Sequence, residues 1–217
     1  MISTGKFISL EGSEGCGKTT QLALLVEWLK GKNIAPTCLR EPGGTPLGEI
    51  IRNLLKHDLS GHGMTSETEL LLFAASRAEL VRKTIRPALA AGNWVISDRF
   101  FDSTTVYQGA ARGLDPLAVQ AITDFVVGTT RPNLTVVFDL PSDEAQRRMS
   151  SRPLPANASD RMEMEPVEFY EQVRQAYLQL AEREPERVKI IDARGCREDV
   201  FGRFKKEICH AFPRLLA

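Results

Sequence analysis

Phe7-Ile-Ser-Leu-Glu-Gly-Ser-Glu-Gly-Cys-Gly-Lys-Thr-Thr20 is the stretch on which the fold class turns. It opens with a short apolar run, Phe7–Glu11, and passes through a glycine-rich turn. Beyond it, Leu22, Leu25, Val26 and Leu29 repeat at helical spacing. The order is strand, loop, helix. Within it, Gly12 to Thr19 fits G-x4-G-K-[ST] in the context that pattern requires. Gly12, Gly15 and Gly17 let the backbone curl so that successive N–H groups face phosphate oxygens, helped by the positive end of the following helix. Gly12, Ser13, Glu14, Gly15, Cys16, Gly17, Lys18, Thr19 and Thr20 are therefore the expected phosphate cradle. Lys18 is expected on the β- and γ-phosphates and the Thr19 hydroxyl on Mg²⁺. Glu14 is out of character in an anion-binding loop: it either points outward as a solvated charge or meets a second substrate.

Working outward, Thr37–Arg40 is a second short strand, and Thr45-Pro46 caps a helix through Lys56. Residues 58–65 read as a polar loop. A helix begins at Ser66, with Glu69 in the place of a capping-box acid, and runs to about Ala91 with a break expected before Pro87. Trp94–Ser97, Leu134–Leu140 and Val188–Ile191 read as strands; Leu117–Val127, Asp143–Ser150, Val167–Ala181 and Glu198–Phe212 read as helices. Alternating strands and helices predict an α/β protein of the P-loop NTPase fold: a five-stranded parallel sheet with helices on both faces. A single domain over 1–217 is expected, with a small lid over about 148–163, where Pro153 and Pro155 interrupt the helical pattern.

Lys and Arg total 28 and so do Asp and Glu, which removes the sequence-independent attraction of a basic protein for nucleic acid or anionic lipid. Any anion must be held by a local cluster. The longest apolar runs, such as Leu70–Ala75, fall well short of the ~20 residues of a membrane span. Cys16, Cys38, Cys196 and Cys209 lack CxxC spacing, and no signal-like segment is read before the first strand. A cytoplasmic protein is expected.

Two strands end in an acid, at Asp98 and Asp139, and either could serve a P-loop metal. Asp98 is preferred because Arg99 follows it and adds a fork that fits phosphate. Arg147, Arg148, Arg152 and Arg161 flank the flap at 151–159 and could close over a nucleotide. The Asn-Lys-x-Asp signature of small GTPases is missing. Leu59-Ser60-Gly61 starts like a transporter ATPase signature, but His62 breaks it. A small-molecule kinase with a second pocket remains.

Five blocks then carry a resemblance to thymidylate kinases, in particular the bacterial type with catalytic arginines in the lid. They are the loop itself, Arg40-Glu-Pro-Gly-Gly-Thr45, Leu72-Phe-Ala-Ala-Ser-Arg77, Asp98-Arg-Phe-Phe-Asp-Ser-Thr-Thr-Val-Tyr-Gln-Gly109, and Asp160-Arg-Met-Glu163. The resemblance implies transfer of the ATP γ-phosphoryl to dTMP, with Mg²⁺, in a homodimer. It implies that Phe73 stacks on thymine, that Arg77 donates to its carbonyl edge, and that Thr104 and Gln108 bond its polar edge. Tyr107 would lie against the sugar, Glu14 near it, and Arg99 and the Glu41-Pro42 turn, with a cis bond possible, near the acceptor phosphate. Lys18, Arg99, Arg148, Arg152 and Arg161 would be the catalytic cations. Asp98 and Thr19, with Glu11 and Glu163, would attend the metal. Two alternatives stay open: a deoxynucleoside kinase using Glu41 as base, and a nucleotide-binding module without turnover.

Overall fold

The computed structural model of the chain describes residues 5–151, 161 and 165–215. Strands β1 (Phe7–Glu11), β2 (Thr37–Arg40), β3 (Val95–Asp98), β4 (Leu134–Asp139) and β5 (Val188–Asp192) form one sheet in the order β2-β3-β1-β4-β5. Every pairing is parallel. With β1 central, the loop leaving it emerges at the middle of the carboxyl edge, where open parallel sheets bind ligands. Register lines up Leu10 and Arg40 with Asp98, so the ends of three strands meet beside that loop.

Alternation along β1 divides the core. Ile8 and Leu10 pack with Ile96, Val136 and Phe138 under helices α1 (Lys18–Lys30) and α9 (Arg197–Ala211). On the opposite face Phe7 and Val95 meet α3 (Ser66–Leu80) and α6 (Pro116–Val127), while Val137 and Val188 meet α8 (Val167–Arg183). That second face also receives Ser9 and Glu11, both fully buried, so a carboxyl group enters the core directly behind the phosphate loop.

Helix α2 (Pro46–Lys56) has the expected cap, Thr45 accepting from Gly48 N at 3.0 Å. The capping box at Ser66 does not form. Thr65 caps α3 instead, accepting from Thr68 N, and Glu69 lies one place deeper, on the buried side. No break precedes Pro87 either. Val81–Ile85 makes a wide turn in which Arg86 N reaches Val81 O five residues back, and α4 (Arg86–Ala90) continues. The ladder shifts register just where Pro87 supplies no N–H, so the helix survives. A second wide turn, Thr105–Ala111, extends α5 (Phe101–Thr104) over the carboxyl edge. Helix α7 (Ser142–Ser150) follows β4. Arg152, Glu163 and most of the expected flap lie outside the described residues. Among the described residues no helix is long and apolar enough to cross a membrane.

Candidate active site

The loop after β1 is shaped by its glycines. Gly12 has φ +131°, and a Cβ there would stand 2.7 Å from Phe138 O; Gly15 has φ +77°, and its Cβ would meet Ala145 O at 2.6 Å. Only a bare backbone fits between β4 and α7. Lys18 curls back over the loop, its Nζ donating to Ser13 O at 2.8 Å and Gly12 O at 3.1 Å. The ammonium is thus held over the cradle by carbonyls.

Thr19 Oγ1 lies 3.5 Å from Asp98 Oδ2, at the end of β3. The other strand-end acid has a different partner: Asp139 takes a two-point bond from Arg174 at 2.7 and 3.0 Å. Asp98 is therefore the acid that the fold brings to the phosphate loop. Glu11, expected in the metal set, is fully buried at the end of β1. Its oxygens accept from Ser9 Oγ (2.8 Å), Phe100 N (2.8 Å), Ser103 Oγ (2.6 Å) and Tyr177 OH (2.8 Å). Burial, with Asp102 adding to it, raises its pKa. Four donors from the described residues around a fully buried carboxyl make it a brace for the residues after β3.

Arg99 has a left-handed backbone, φ 71°, which turns its side chain back across the cleft. Its guanidinium donates to Glu14 Oε1 at 2.8 Å and Ser103 Oγ at 3.1 Å and lies 5.0 Å above the Tyr107 ring. Glu14 points inward, toward this group. Burial works against its charge, but Arg99, Lys18 and Lys56 outweigh it and hold the carboxyl well below the usual range. A carboxylate in an anion site is tolerated because three cations surround it.

Beyond Arg99 a pocket opens, lined by Phe73, Arg77, Thr104, Tyr107 and Gln108 together with the Glu41-Pro42 turn, whose peptide is cis. Arg77, 2% exposed, donates to Glu41 Oε2 from Nε (2.7 Å), to Thr104 Oγ1 (2.8 Å) and to Phe100 O (3.2 Å). Burial pushes Glu41 up to about 7 against the pull of Arg77. The wide turn at Thr105–Ala111 brings Thr104, Tyr107 and Gln108 to one wall. Wide turns of this kind recur at functional sites.

Among the described residues, the lid arginines Arg148 and Arg161 have separate partners. Arg148 borders a cleft between Gly15–Gly17 and Ala193–Arg197, donating to Glu144 at 2.6 Å and Ala193 O at 3.2 Å. Arg161 instead reaches Glu69 (2.6 Å) and Leu55 O (3.1 Å), behind the pocket wall. Five further residues complete the site. Arg40, Arg52 and Lys56 line the cleft that holds Lys18, Thr19 and Asp98, while Ser103 and Glu69 fix Arg99 and Gln108. Arg52 and Lys56 were findable, being one turn apart on α2; Glu69 was not, because its partners are remote in sequence.

The cleft and the pocket share Glu14, Glu41, Lys56 and Arg99. A phosphate loop opening through common charged groups into a pocket with an aromatic wall defines a P-loop kinase of small molecules. Residues 10–203 match the thymidylate kinase family. The chain is 48% identical over 201 residues to a thymidylate kinase of Desulfosudis oleivorans, covering 91% of this chain and 93% of that protein. It is 46% identical over 190 residues to one of Syntrophus aciditrophicus, covering 86% of each. The crystal structure of thymidylate kinase from Ehrlichia chaffeensis superposes with a TM-score of 0.73 at 34% identity, covering 94% of this chain and 98% of that one. The chain belongs to the thymidylate kinase family.

Proposed function

We infer that the protein transfers the γ-phosphoryl group of ATP to dTMP, giving dTDP and ADP. The observation that carries the reading is the shared border of Glu14, Glu41, Lys56 and Arg99, because it is where a donor phosphate on Lys18 and an acceptor phosphate beside Arg99 would meet. An acceptor phosphate oxygen is already anionic near neutral pH, so the transfer needs no general base. What the protein must supply is charge. Lys18 and Arg99, with Lys56 at the border and Arg52 in the cleft, offset the repulsion of two polyanions and hold them in line. The lid arginines Arg148, Arg152 and Arg161 would add to this on closure.

Thr19 and Asp98 are hard oxygen donors side by side, which suits Mg²⁺ held by few protein ligands and by nucleotide phosphates. Bound there, the ion would neutralise phosphate charge. Glu163 belongs to the same reading. In the pocket, Phe73 offers a face for the base, Arg77 and Gln108 its polar partners, and Tyr107 a wall for the deoxyribose. A deoxynucleoside kinase would need Glu41 free to act as base, whereas Arg77 holds its Oε2.

A homodimer and a cytoplasmic setting complete the reading. Leu47 and Ile50 on α2, Leu71 on α3, and Leu117 and Phe125 on α6 are exposed apolar groups, and α3 packs against both other helices. Sedimentation showing only monomer at working concentration would remove the dimer. For the reaction itself, a coupled ADP-release assay compares dTMP with thymidine as acceptor. Turnover with dTMP is expected; turnover with thymidine alone, or none with either, would sink the assignment.

A further inference from the structure

Glu69 stands behind the pocket wall, 1% exposed, and receives three partners among the described residues. Gln108 Nε2 donates to its Oε1 at 2.8 Å, Arg161 to its Oε2 at 2.6 Å, and Arg112 reaches both oxygens at 3.3 Å. A buried acid with two arginines is explained by charge balance alone. Gln108 is not. It lines the pocket with Phe73, Arg77 and Thr104, is itself 2% exposed, and spends one side of its amide on Glu69.

An ionised carboxylate can only accept hydrogen bonds. Opposite Glu69, the end of the Gln108 amide must therefore be the NH₂. Burial opposes the charge on Glu69, but Gln108, Arg161 and Arg112 outweigh it and lower its pKa, so the group is ionised at neutral pH. Arg77, on the same wall, offers only N–H groups. The wall thus pairs a fixed donor with an amide of fixed orientation. Thymine and uracil carry a carbonyl next to a ring N–H; cytosine carries an amino group next to an unprotonated ring nitrogen, the reverse pattern.

We propose that Glu69 is a positioning residue for base selection: by holding the Gln108 NH₂ it leaves the Gln108 carbonyl oxygen as the acceptor offered to the pocket, which favours a pyrimidine with an N–H beside a carbonyl over cytosine. The proposal rests on the reading above, in which Gln108 meets the base. Glu69 itself touches no substrate and acts through Gln108.

The test measures kcat/KM for dTMP and for dCMP in wild type, Glu69→Gln, Gln108→Ala and the double variant, with KM for ATP as control. In Glu69→Gln the facing amide can present either end, so Gln108 is free to turn over. The ratio of dTMP to dCMP should fall by roughly tenfold or more in each single variant. It should fall no further in the double variant than in Gln108→Ala, and KM for ATP should hold. A wild-type ratio in Glu69→Gln overturns the proposal, as does a further drop when Glu69→Gln is added to Gln108→Ala. A wild-type ratio in Gln108→Ala is a different failure, since it removes Gln108 from base recognition. Should Glu69→Gln not fold, Glu69→Asp keeps a charge for the arginines but draws back from Gln108 by one CH₂. A lowered ratio there supports the proposal and an unchanged one overturns it.

Discussion

Arg99 and Glu14 meet at 2.8 Å, one from the end of β3 and the other from inside the phosphate loop, and their pair ties the two substrate sites together. Neither charge is stable there alone. Glu14 is held ionised by Arg99, Lys18 and Lys56 against burial, and Arg99 is aimed by Glu14, Ser103 and the Tyr107 face.

Glu14→Gln keeps the shape of the loop and removes its negative charge. The acceptor KM should rise by roughly five- to thirtyfold as Arg99 loses a charged anchor worth about 1–2 kcal/mol. ADP affinity, titrated by calorimetry without acceptor, should hold or improve, because a like charge leaves an anion site. Weaker ADP binding would mean that Glu14 shapes the loop and does not aim Arg99.

Asp98→Asn and Asp139→Asn make a matched pair, both at strand ends. Only Asp98 lies against Thr19, while Asp139 is bound by Arg174. Asp98→Asn should raise the Mg²⁺ concentration for half-maximal turnover by roughly tenfold, as expected on losing one of few carboxylates near the ion. Asp139→Asn should leave that dependence alone and lower stability by about 1 kcal/mol, in a part-exposed pair. The same Mg²⁺ dependence in both variants would show that neither strand end is privileged.

Much of this was legible in the chain because it is local. The strands announce themselves as apolar runs, and the loop motif fixes Lys18 and Thr19 by spacing alone. What escaped was set by packing. Glu69 reads as a capping acid next to Ser66, yet Thr65 takes the cap and Glu69 pairs with Arg161, 92 residues away. Glu11 is legible as an acid at the end of β1, but its donors Ser103 and Tyr177 are brought up by α5 and α8 and are remote in sequence. Residues 105–111 follow a wide turn, so no 3.6-residue period marks them.

Glu11→Gln tests the brace directly. Its Oε2 accepts from two hydroxyls, so an NH₂ at that position would face donors, and an amide also forfeits the charge. Unfolding free energy should drop by about 2–4 kcal/mol in urea titrations. Turnover should fall too, through Ser103 and Arg99, with the Mg²⁺ dependence unchanged. A shifted Mg²⁺ dependence would place Glu11 in the metal's surroundings.

Glu41 gives the enzyme a pH-dependent stability of known sign. Burial raises its folded value from the ordinary 4.5 to about 7, against Arg77. Between those values the folded protein holds a proton that the unfolded chain has released, so rising pH works against folding. Below about 4.5 the contribution is fully present; it is lost as pH climbs to about 7, and is flat above. Glu41→Gln removes the titration, so the wild-type minus variant difference in unfolding free energy should shrink by up to about 3 kcal/mol over that window. Thermal or urea unfolding at half-unit pH steps reads it. A difference that stays constant from pH 5 to 8 would mean that Arg77 keeps Glu41 charged throughout, and the acceptor pocket would then carry a permanent ion pair.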